Sequence, residues 1–215
     1  AALATPNIDW FALAAPLALL AAGAVNLMAA VLVPQGDRRV VAAYVALAGF
    51  AGALVASALL FDRSPDGHGV IAGAIQRDRL GAFTAMIIAG SGILAIGTSY
   101  RERMADDHIA EYYALLAWAG AGMTFLASAS TLLTLFLALE WFSISLYILC
   151  AIDRELVGSL EAGLKYLIVG GFGSAMLLFG SALVYGATGQ LEFHAIAQTV
   201  QQQGRVELDI RLQPA

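Results

Sequence analysis

Two ionisable residues stand inside long apolar stretches of this 215-residue chain. Glu140 is the single charge within residues 112–152, and Lys165 is the single charge within residues 162–191 and the only lysine of the chain. An ionisable group in hydrocarbon costs several kcal/mol and usually marks a path for an ion or a proton. A desolvated amine can release its proton, whereas a guanidinium effectively cannot. The two residues therefore predict a proton relay.

Two polar residues follow Glu140 at helical spacing. Ser143 and Tyr147 lie at i+3 and i+7 from Glu140, so a helix places the carboxylate, the hydroxyl and the phenol on one face. Such a face can order water molecules beside the carboxylate. We therefore include Ser143 and Tyr147 in the candidate site as water-ordering groups.

The two charges also lie at comparable depths. At 1.5 Å per residue, Glu140 is roughly 16 Å from Ala151 and Lys165 is roughly 9 Å from Ser159, so we expect the two side chains to come within reach of each other. Two other interpretations stay open. Lys165 can instead pair with Glu161 at i−4, or extend its amine to the headgroups. Glu140 can instead be a protonated, hydrogen-bonded structural residue.

The elements that must position these residues follow from composition. Hydrophobic residues make up 60% of the chain and charged residues 13%, with a mean hydropathy of +0.78, which excludes an ordinary soluble globular protein. A bilayer core of about 30 Å needs about 20 apolar residues in a helix, and the apolar runs are continuous, which favours helices over barrel strands. We predict an all-α polytopic membrane protein with six transmembrane helices, at about 10–33, 40–61, 80–100, 112–128, 131–151 and 159–187.

These spans divide the chain into three parts. Residues 1–100 hold three N-terminal transmembrane helices, and residues 101–191 hold three more that carry the charged pair. Residues 192–215 are a polar tail or the end of a fragment, with room for one short interfacial helix. Between the second and third spans, residues 62–79 are predicted to form a polar loop with one short helical turn.

Local signals predict several helix ends. The small hydroxylic corner 128–131 contains good N-cap residues and separates the fourth span from the fifth. Ser159 is the predicted N-cap of the sixth helix, with Glu161 in its first turn, where the helix dipole favours an acid. The glycines of this helix are predicted to be close-packing positions between helices; they are Gly163, Gly170, Gly171, Gly173 and Gly180.

Charge and cysteine content exclude other functions. The net charge is −5 and the basic residues are scattered over short connections, so we expect no nucleic-acid partner. Cys150 is the only cysteine, and no Cys or His spacing suits zinc or an iron–sulfur cluster. We therefore expect no cofactor, no metal and no redox centre within this chain.

The ends of the spans indicate an orientation in the membrane. No basic region and no small-residue cleavage site precede Trp10, so the first span is predicted to be a retained helix rather than a signal peptide. Basic residues are equal in number on the two sides, but the N-terminal segment and the 128–131 corner have none. This distribution favours an N-terminus on the outside.

Three sequence runs carry a family resemblance. They are TLLTLFLALEWFSISLY at 131–147, EAGLKYL at 161–167 and LVYGATG at 183–189. Within residues 109–190 the chain closely resembles the subunit N family of bacterial NADH:quinone oxidoreductase, or respiratory complex I, whose mitochondrial counterpart is subunit 2. Family members often have an acid near Thr131 and a proline near Ser145, and this sequence has neither, so we expect a different cap and bend in the fifth helix.

The resemblance implies a proton-translocating membrane subunit in which Glu140 and Lys165 belong to a charged axis in mid-membrane. It implies that NADH, FMN, the iron–sulfur clusters and quinone are bound by other subunits of the complex. The implied partners are the other membrane subunits of complex I, including antiporter-like neighbours, and the lipid bilayer of the bacterial inner membrane. The family fold has about fourteen spans, so six would be the N-terminal part of an antiporter-like fold.

Two alternative functions stay open. One is a subunit of a multisubunit cation/proton antiporter or of a membrane-bound hydrogenase, within the same superfamily. The other is a structural membrane scaffold in which both charges are static, which predicts that replacing Lys165 by methionine leaves coupled activity intact.

Overall fold

The structure is a computed structural model that describes residues 9–63, 68–70, 73–101 and 108–212. Long helices dominate it, because backbone groups in hydrocarbon must find their hydrogen-bond partners within the segment. In chain order the elements are α1 (Ala14–Leu32), α2 (Gln35–Arg63), β1 (His68–Val70), β2 (Ile75–Arg77), α3 (Arg79–Ser99), α4 (Ile109–Ala127), α5 (Leu132–Cys150), α6 (Val157–Thr188) and α7 (Phe193–Leu212).

The predicted fold class is confirmed, whereas the number of spans is not. Among the described residues, five helices are long and apolar enough to cross a membrane, namely α1, α2, α3, α5 and α6. The fourth predicted span corresponds to α4, a 19-residue helix that carries Glu111, Tyr112 and Tyr113 near its start. It packs against α1, α2, α3 and α5, and a helix surrounded by protein does not need an apolar surface on every side. Six spans therefore remain a prediction.

Two predicted helix starts have different outcomes. Thr131 caps α5 as expected, because its hydroxyl oxygen accepts a hydrogen bond from the Thr134 amide at 3.1 Å. The prediction for α6 was wrong: the helix begins at Val157, and its cap, Leu156, makes no side-chain bond. Ser159 instead donates its hydroxyl to the Cys150 carbonyl at 2.8 Å and satisfies a group at the end of α5. Because α6 starts earlier, no acid lies in its first turn.

A β-hairpin replaces the helical turn that was predicted within residues 62–79. Strands β1 and β2 pair antiparallel, with Val70 opposite Ile75, and Gly73 in the connection has a φ of 81° that favours glycine. The hairpin also pairs with the corner between α4 and α5, because the Gln76 amide donates to the Ser128 carbonyl at 2.8 Å. Pairing satisfies backbone groups that a helical turn would have left open at its ends.

Small residues and a few large rings make the core of the helix bundle. Phe50 on α2 is 1% exposed, and its ring lies in a slot between Gly92 on α3 and Gly120 on α4. Trp118 on α4 lies in the same way against Gly23 on α1, and its indole N–H donates to the Leu20 carbonyl. These contacts bring α1, α2 and α3 against α4.

The last two helices have few buried residues among those whose side chains are described. Helix α6 packs mainly against α5 and ends at Gly189, whose φ of 66° is the left-handed conformation typical of a helix C-terminus. Helix α7 extends from Phe193 to Leu212 and is longer than the short interfacial helix expected in the tail. Its start is held to the corner before α5, because the Phe193 amide donates to the Ser130 carbonyl at 3.0 Å.

An ion pair joins the start of the chain to the hairpin. Arg77 donates to the Asp9 carboxylate at 2.6 Å, and the amides of Phe11 and Ala12 donate to the other oxygen. Burial raises the pKa of the Asp9 carboxyl, but the hydrogen bonds from Arg77 and the two amides, together with the charge of Arg77, hold that pKa below its usual value. The ionised form of Asp9 is therefore favoured by the fold.

The Phe50 slot predicts a large difference between two alanine substitutions on α3. In Gly92→Ala the added methyl group would overlap the buried Phe50 ring, which Gly120 confines from the other side. We expect a loss of about 1–3 kcal/mol in the free energy of unfolding. Gly90→Ala is the matched control, since a Cβ there meets nothing within 4 Å, and it should stabilise the chain by up to about 1 kcal/mol because alanine favours the helix over glycine. Denaturation of the purified chain in detergent micelles measures both, and equal effects would contradict the slot.

The Asp9 carboxyl predicts a stability difference that depends on pH. Because its pKa is lower in the folded chain, its contribution is complete above the unfolded pKa of about 3.9 and is lost as pH falls through the folded value. Asp9→Asn should destabilise the chain by less than about 1 kcal/mol near neutral pH, since the pair is partly exposed, and the gap should close below about pH 4. Unfolding measured from pH 7 to pH 3 tests this, and a gap that stays constant over the range refutes it.

Candidate functional site

Lys165 lies on α6 and pairs with an acid of its own helix. Its amine is 2.6 Å from Oε1 of Glu161, one turn earlier, and the side chains of Lys165 and Glu161 are 71% and 59% exposed. Glu161 is the alternative partner of Lys165 that the sequence analysis left open. The contact requires no movement of one helix against another, because residues four apart already lie on the same face.

Glu140 lies near the middle of α5 and has no such partner. Its Oε1 is buried and makes no hydrogen bond to any described residue. The described residues contain no ion pair between Glu140 and Lys165. A buried carboxyl oxygen without a partner is costly, so this atom is placed to take up a proton or a water molecule. Contact between Glu140 and Lys165 therefore stays a prediction. The environments of the two residues differ: Lys165 is paired and exposed, whereas Glu140 is partly buried and its Oε1 has no partner among the described residues.

The two charges do lie at similar distances from the same connection. Glu140 is ten residues before the end of α5 and Lys165 is eight residues after the start of α6. At 1.5 Å per residue, these distances are about 15 Å and about 12 Å along antiparallel neighbours. Gly163 and Gly170 face α5, whereas Lys165, two residues after Gly163, projects from the other side of α6 and is exposed. A contact between Lys165 and Glu140 would therefore require α6 to rotate about its axis.

Ser143 and Tyr147 are buried on the same face of α5 as Glu140. The ring of Tyr147 packs edge-on against Tyr166, with 4.8 Å between the ring centroids. Its hydroxyl lies against Gly170, where a side chain would overlap it. Tyr147 therefore joins α5 to α6 beside Lys165, which is the neighbour of Tyr166 in the chain.

The predicted role of the α6 glycines holds for two positions. Gly163 packs closely against Ala151, and Gly170 packs closely against Tyr147. At Gly171, Gly173 and Gly180 a Cβ would meet nothing within 4 Å, so the close packing expected there is wrong for this structure. The three open positions lie on the sides of α6 that face away from α5.

A cavity of about 940 Å³ lies between α1, α4, α5 and α6, near the membrane side at which α4 and α6 begin. Its walls are mainly aliphatic and include Leu27, Leu115, Ile144, Ile148, Leu164 and Leu167. Polar groups enter it from two helices and one loop: His108 and Glu111 from the start of α4, Tyr147 from α5 and Arg154 from the connection after α5. The candidate site thus reaches from the middle of α5 to this cavity.

Two polar residues of this region escaped the sequence analysis. Glu111 was placed in a connecting stretch, but it is the third residue of α4, and its Oε2 is buried without a hydrogen-bond partner among the described residues. Asn26 on α1 is fully buried, and neither of its side-chain polar atoms has a partner there. An acid in the first turn of a helix and an amide inside an uncharged span are the signals that could have found them.

The described residues contain no group of three or more His, Cys, Asp or Glu side chains that could hold a metal ion. Cys150 at the end of α5 is free and exposed. The candidate site itself presents carboxyl, amine, phenol and hydroxyl groups from Glu140, Lys165, Tyr147 and Ser143, and such groups can bind and release protons.

Comparison with known proteins gives consistent matches. Residues 129–212 match the family described as NADH:quinone oxidoreductase/Mrp antiporter, TM. A NADH-quinone oxidoreductase subunit N of Moorella thermoacetica is 39% identical over 175 residues, which cover 80% of this chain and 36% of the relative. A subunit N 2 of Koribacter versatilis is 33% identical over 208 residues, covering 92% of this chain and 41% of the relative. The chain thus spans about two fifths of the length of these relatives.

Solved structures agree with these relatives. A chain of respiratory complex I from Thermus thermophilus with bound aureothin superposes with a TM-score of 0.68 at 26% identity, covering 83% of this chain and 38% of that chain. A chain of the membrane-bound sulfane sulfur reductase, an archaeal respiratory membrane complex, shares the fold with a TM-score of 0.67 at 23% identity, over 85% of this chain and 39% of that chain. These matches confirm the resemblance that residues 109–190 indicated.

The contact of Tyr147 with α6 predicts opposite outcomes for two adjacent glycines. Gly170→Ala would place a methyl group on the Tyr147 hydroxyl and should cost about 1–3 kcal/mol in the free energy of unfolding, with movement of α6 away from α5. In Gly171→Ala the added methyl group meets nothing within 4 Å, and the substitution should stabilise the chain by up to about 1 kcal/mol because alanine favours the helix over glycine. Denaturation in detergent micelles compares the two variants. A larger effect at Gly171 would show that α6 is rotated from the described orientation.

Proposed function

We propose that this chain, which is related over most of its length to the subunit N family of complex I, acts as a proton-translocating membrane subunit of NADH:quinone oxidoreductase. Quinone reduction would drive proton transfer through Glu140 and Lys165. The observation that carries the proposal is the buried Glu140 oxygen without a partner, in mid-helix, within the stretch that matches the family. The other membrane subunits would be its partners in the bacterial inner membrane, with its N-terminus outside.

The proposed relay uses two states of Lys165, of which the pairing with Glu161 is the observed one. In the observed state its amine is held by Glu161, so its charge is compensated on its own helix. Moving the amine to Glu140 would leave Glu161 without its cation and would place a positive charge beside the buried carboxyl oxygen. An opposite charge within about 4–6 Å favours the ionised form of a carboxyl group, so this move would favour release of a proton from Glu140.

Tyr147 and Ser143 support the transfer along α5. Their hydroxyl groups can each donate and accept a hydrogen bond, and on the face of Glu140 Ser143 stands one turn and Tyr147 two turns from it. They are therefore suited to hold water between the carboxyl group and the cavity. NADH, FMN, the iron–sulfur clusters and quinone would be bound by other subunits, and this chain would contribute proton transfer alone.

A second function has support of its own. The matching family includes Mrp antiporters in its description, and the archaeal sulfane sulfur reductase chain shares the fold. A subunit of a multisubunit cation/proton antiporter would use the same two residues without NADH. Subunits that copurify with the chain from its native membrane separate these two functions, because only complex I brings flavin and quinone-reducing activity.

Proton pumping by the assembled complex tests the relay. Inside-out membrane vesicles are supplied with NADH, and acidification is read with a pH-sensitive dye for Glu140→Gln, Lys165→Met and Lys165→Arg. We expect each variant to lower pumping by about tenfold or more, since positioned proton-transfer groups contribute about 10²–10⁴-fold. Lys165→Arg keeps the charge and the pairing with Glu161 but cannot release its proton, so it separates proton transfer from ion pairing.

The control for these variants is Glu155→Gln, in the exposed connection between α5 and α6. It removes one carboxylate from the same region and should leave pumping unchanged. Quantitation of the complex in the membrane shows that each variant assembles. Wild-type pumping by Lys165→Met and Glu140→Gln would make the chain a static scaffold.

A further inference from the structure

We propose that Glu111 is a further proton-exchange residue, which takes protons from the membrane side at which α4 begins and passes them toward Glu140. The inference rests on the proposed function, because it requires that protons move through this chain. It assigns the entrance of the path to the 940 Å³ cavity between α1, α4, α5 and α6.

The position of Glu111 supports this role. It is the third residue of α4, close to the aqueous end of the helix, and it lines the cavity. One of its two oxygens is buried and has no hydrogen-bond partner among the described residues. A carboxyl group in such a place requires either a proton or water to satisfy that oxygen. The cavity offers the second, since it has room for water, and since His108, Tyr147 and Arg154 bring further polar groups to its mainly aliphatic wall.

Other groups of the cavity set the charge around Glu111. His108 on α4 and Arg154 from the connection after α5 bring positive or protonatable groups, and Tyr147 brings a phenol from α5. The parts of α1 and α6 that line the cavity, Leu27 and residues 163, 164 and 167, have no titratable side chain. Glu111 is thus the only carboxyl group among the described residues that line the cavity.

Tyr147 connects the cavity to the middle of the membrane. It forms part of the cavity wall and belongs to the face of α5 that carries Ser143 and Glu140. Seven residues separate Tyr147 from Glu140, which is about 10 Å along the helix. In each step an O–H bond of the donor breaks as an O–H bond forms on the next oxygen, and no electron is transferred. Protonated Glu111 would be the donor, and water, Tyr147 and Ser143 would stand between it and Glu140.

The decisive measurement is the pH profile of NADH-driven pumping by the assembled complex in vesicles. Glu111→Gln should lower pumping by about tenfold, since an amide cannot exchange the proton. Glu111→Asp should restore a large part of the rate but shift the pH profile, because the carboxyl group is kept in a changed position. Glu155→Gln is the matched control and should leave rate and profile unchanged. Wild-type rate and profile in Glu111→Gln would overturn the assignment.

The result separates this inference from the function on which it rests. If Glu140→Gln and Lys165→Met abolish pumping while Glu111→Gln does not, protons pass through the chain by another entrance. If all three variants pump normally, the proposed function itself fails. Loss of pumping in Glu111→Gln without rescue by Glu111→Asp and with an unchanged profile of the residual activity would mean a structural role, which also overturns the assignment.

A second measurement tests whether the cavity holds water, and it does not depend on activity. In a Cys150→Ser background, Leu115→Cys places a thiol in the cavity wall, whereas Leu116→Cys points the neighbouring thiol at the hydrophobic core. A charged methanethiosulfonate reagent should label position 115 in the assembled complex much faster than position 116, and from the α4-start side only. Equal, slow labelling at both positions would show a cavity filled by lipid or protein and would overturn the proposed entrance.

Discussion

The structure depends on the fit of buried aromatic rings against glycine. In a bilayer the lipid tails are as apolar as the side chains, so helices associate through close van der Waals contact at small residues rather than by exclusion from water. Phe50 between Gly92 and Gly120 fixes α2 and α3 against α4, and Trp118 fixes α1 against α4. A ring fills the space that a glycine leaves, and this contact determines how far apart two helices stand and how they are rotated.

The same kind of contact between a ring and a glycine occurs at the candidate site. Tyr147 from α5 lies against Gly170 of α6, and its ring packs on Tyr166. This contact determines which face of α6 meets α5, and so it places Lys165 on the exposed side, next to Glu161. A rotation of α6 that carried Lys165 toward Glu140 would have to move the Tyr147 ring. Tyr147, which the sequence analysis proposed as a water-ordering group, is therefore also the residue that fixes α6 against α5.

Sequence reasoning was strongest where a single physical requirement decides the structure. Continuous uncharged runs of about 20 residues must become helices in hydrocarbon, and the described helices lie within a few residues of the predicted spans. Thr131 was a sound cap because a hydroxyl at that position satisfies an open amide. Ser159 was not, because the free carbonyl of Cys150 at the end of the preceding helix lies within its reach. That competition is a tertiary contact and has no local signal.

The site was predicted less completely for a similar reason. Residue types and helical spacing select Glu140, Ser143, Tyr147 and Lys165, but pairing depends on helix rotation, which glycine and ring contacts decide. Glu111 was missed because it stands beside a charged connection, and charge alone does not show where a helix begins. Glu111 becomes a candidate because one of its oxygens is buried without a partner among the described residues and the residue lines a cavity. Only the assembled helices create that cavity.

The exposed ion pair of Lys165 and Glu161 on α6 requires a polar environment that the described residues do not supply. An ion pair of 71% and 59% exposed side chains would be costly if the surrounding medium were hydrocarbon. Close-packing positions are absent from the sides of α6 that carry Gly171 and Gly173, so no described helix covers them. Physical stability in a membrane therefore requires protein or water against this surface. A surface supplied by another part of a complex would make the environment of Lys165 depend on assembly, which is the property that a switchable proton carrier needs.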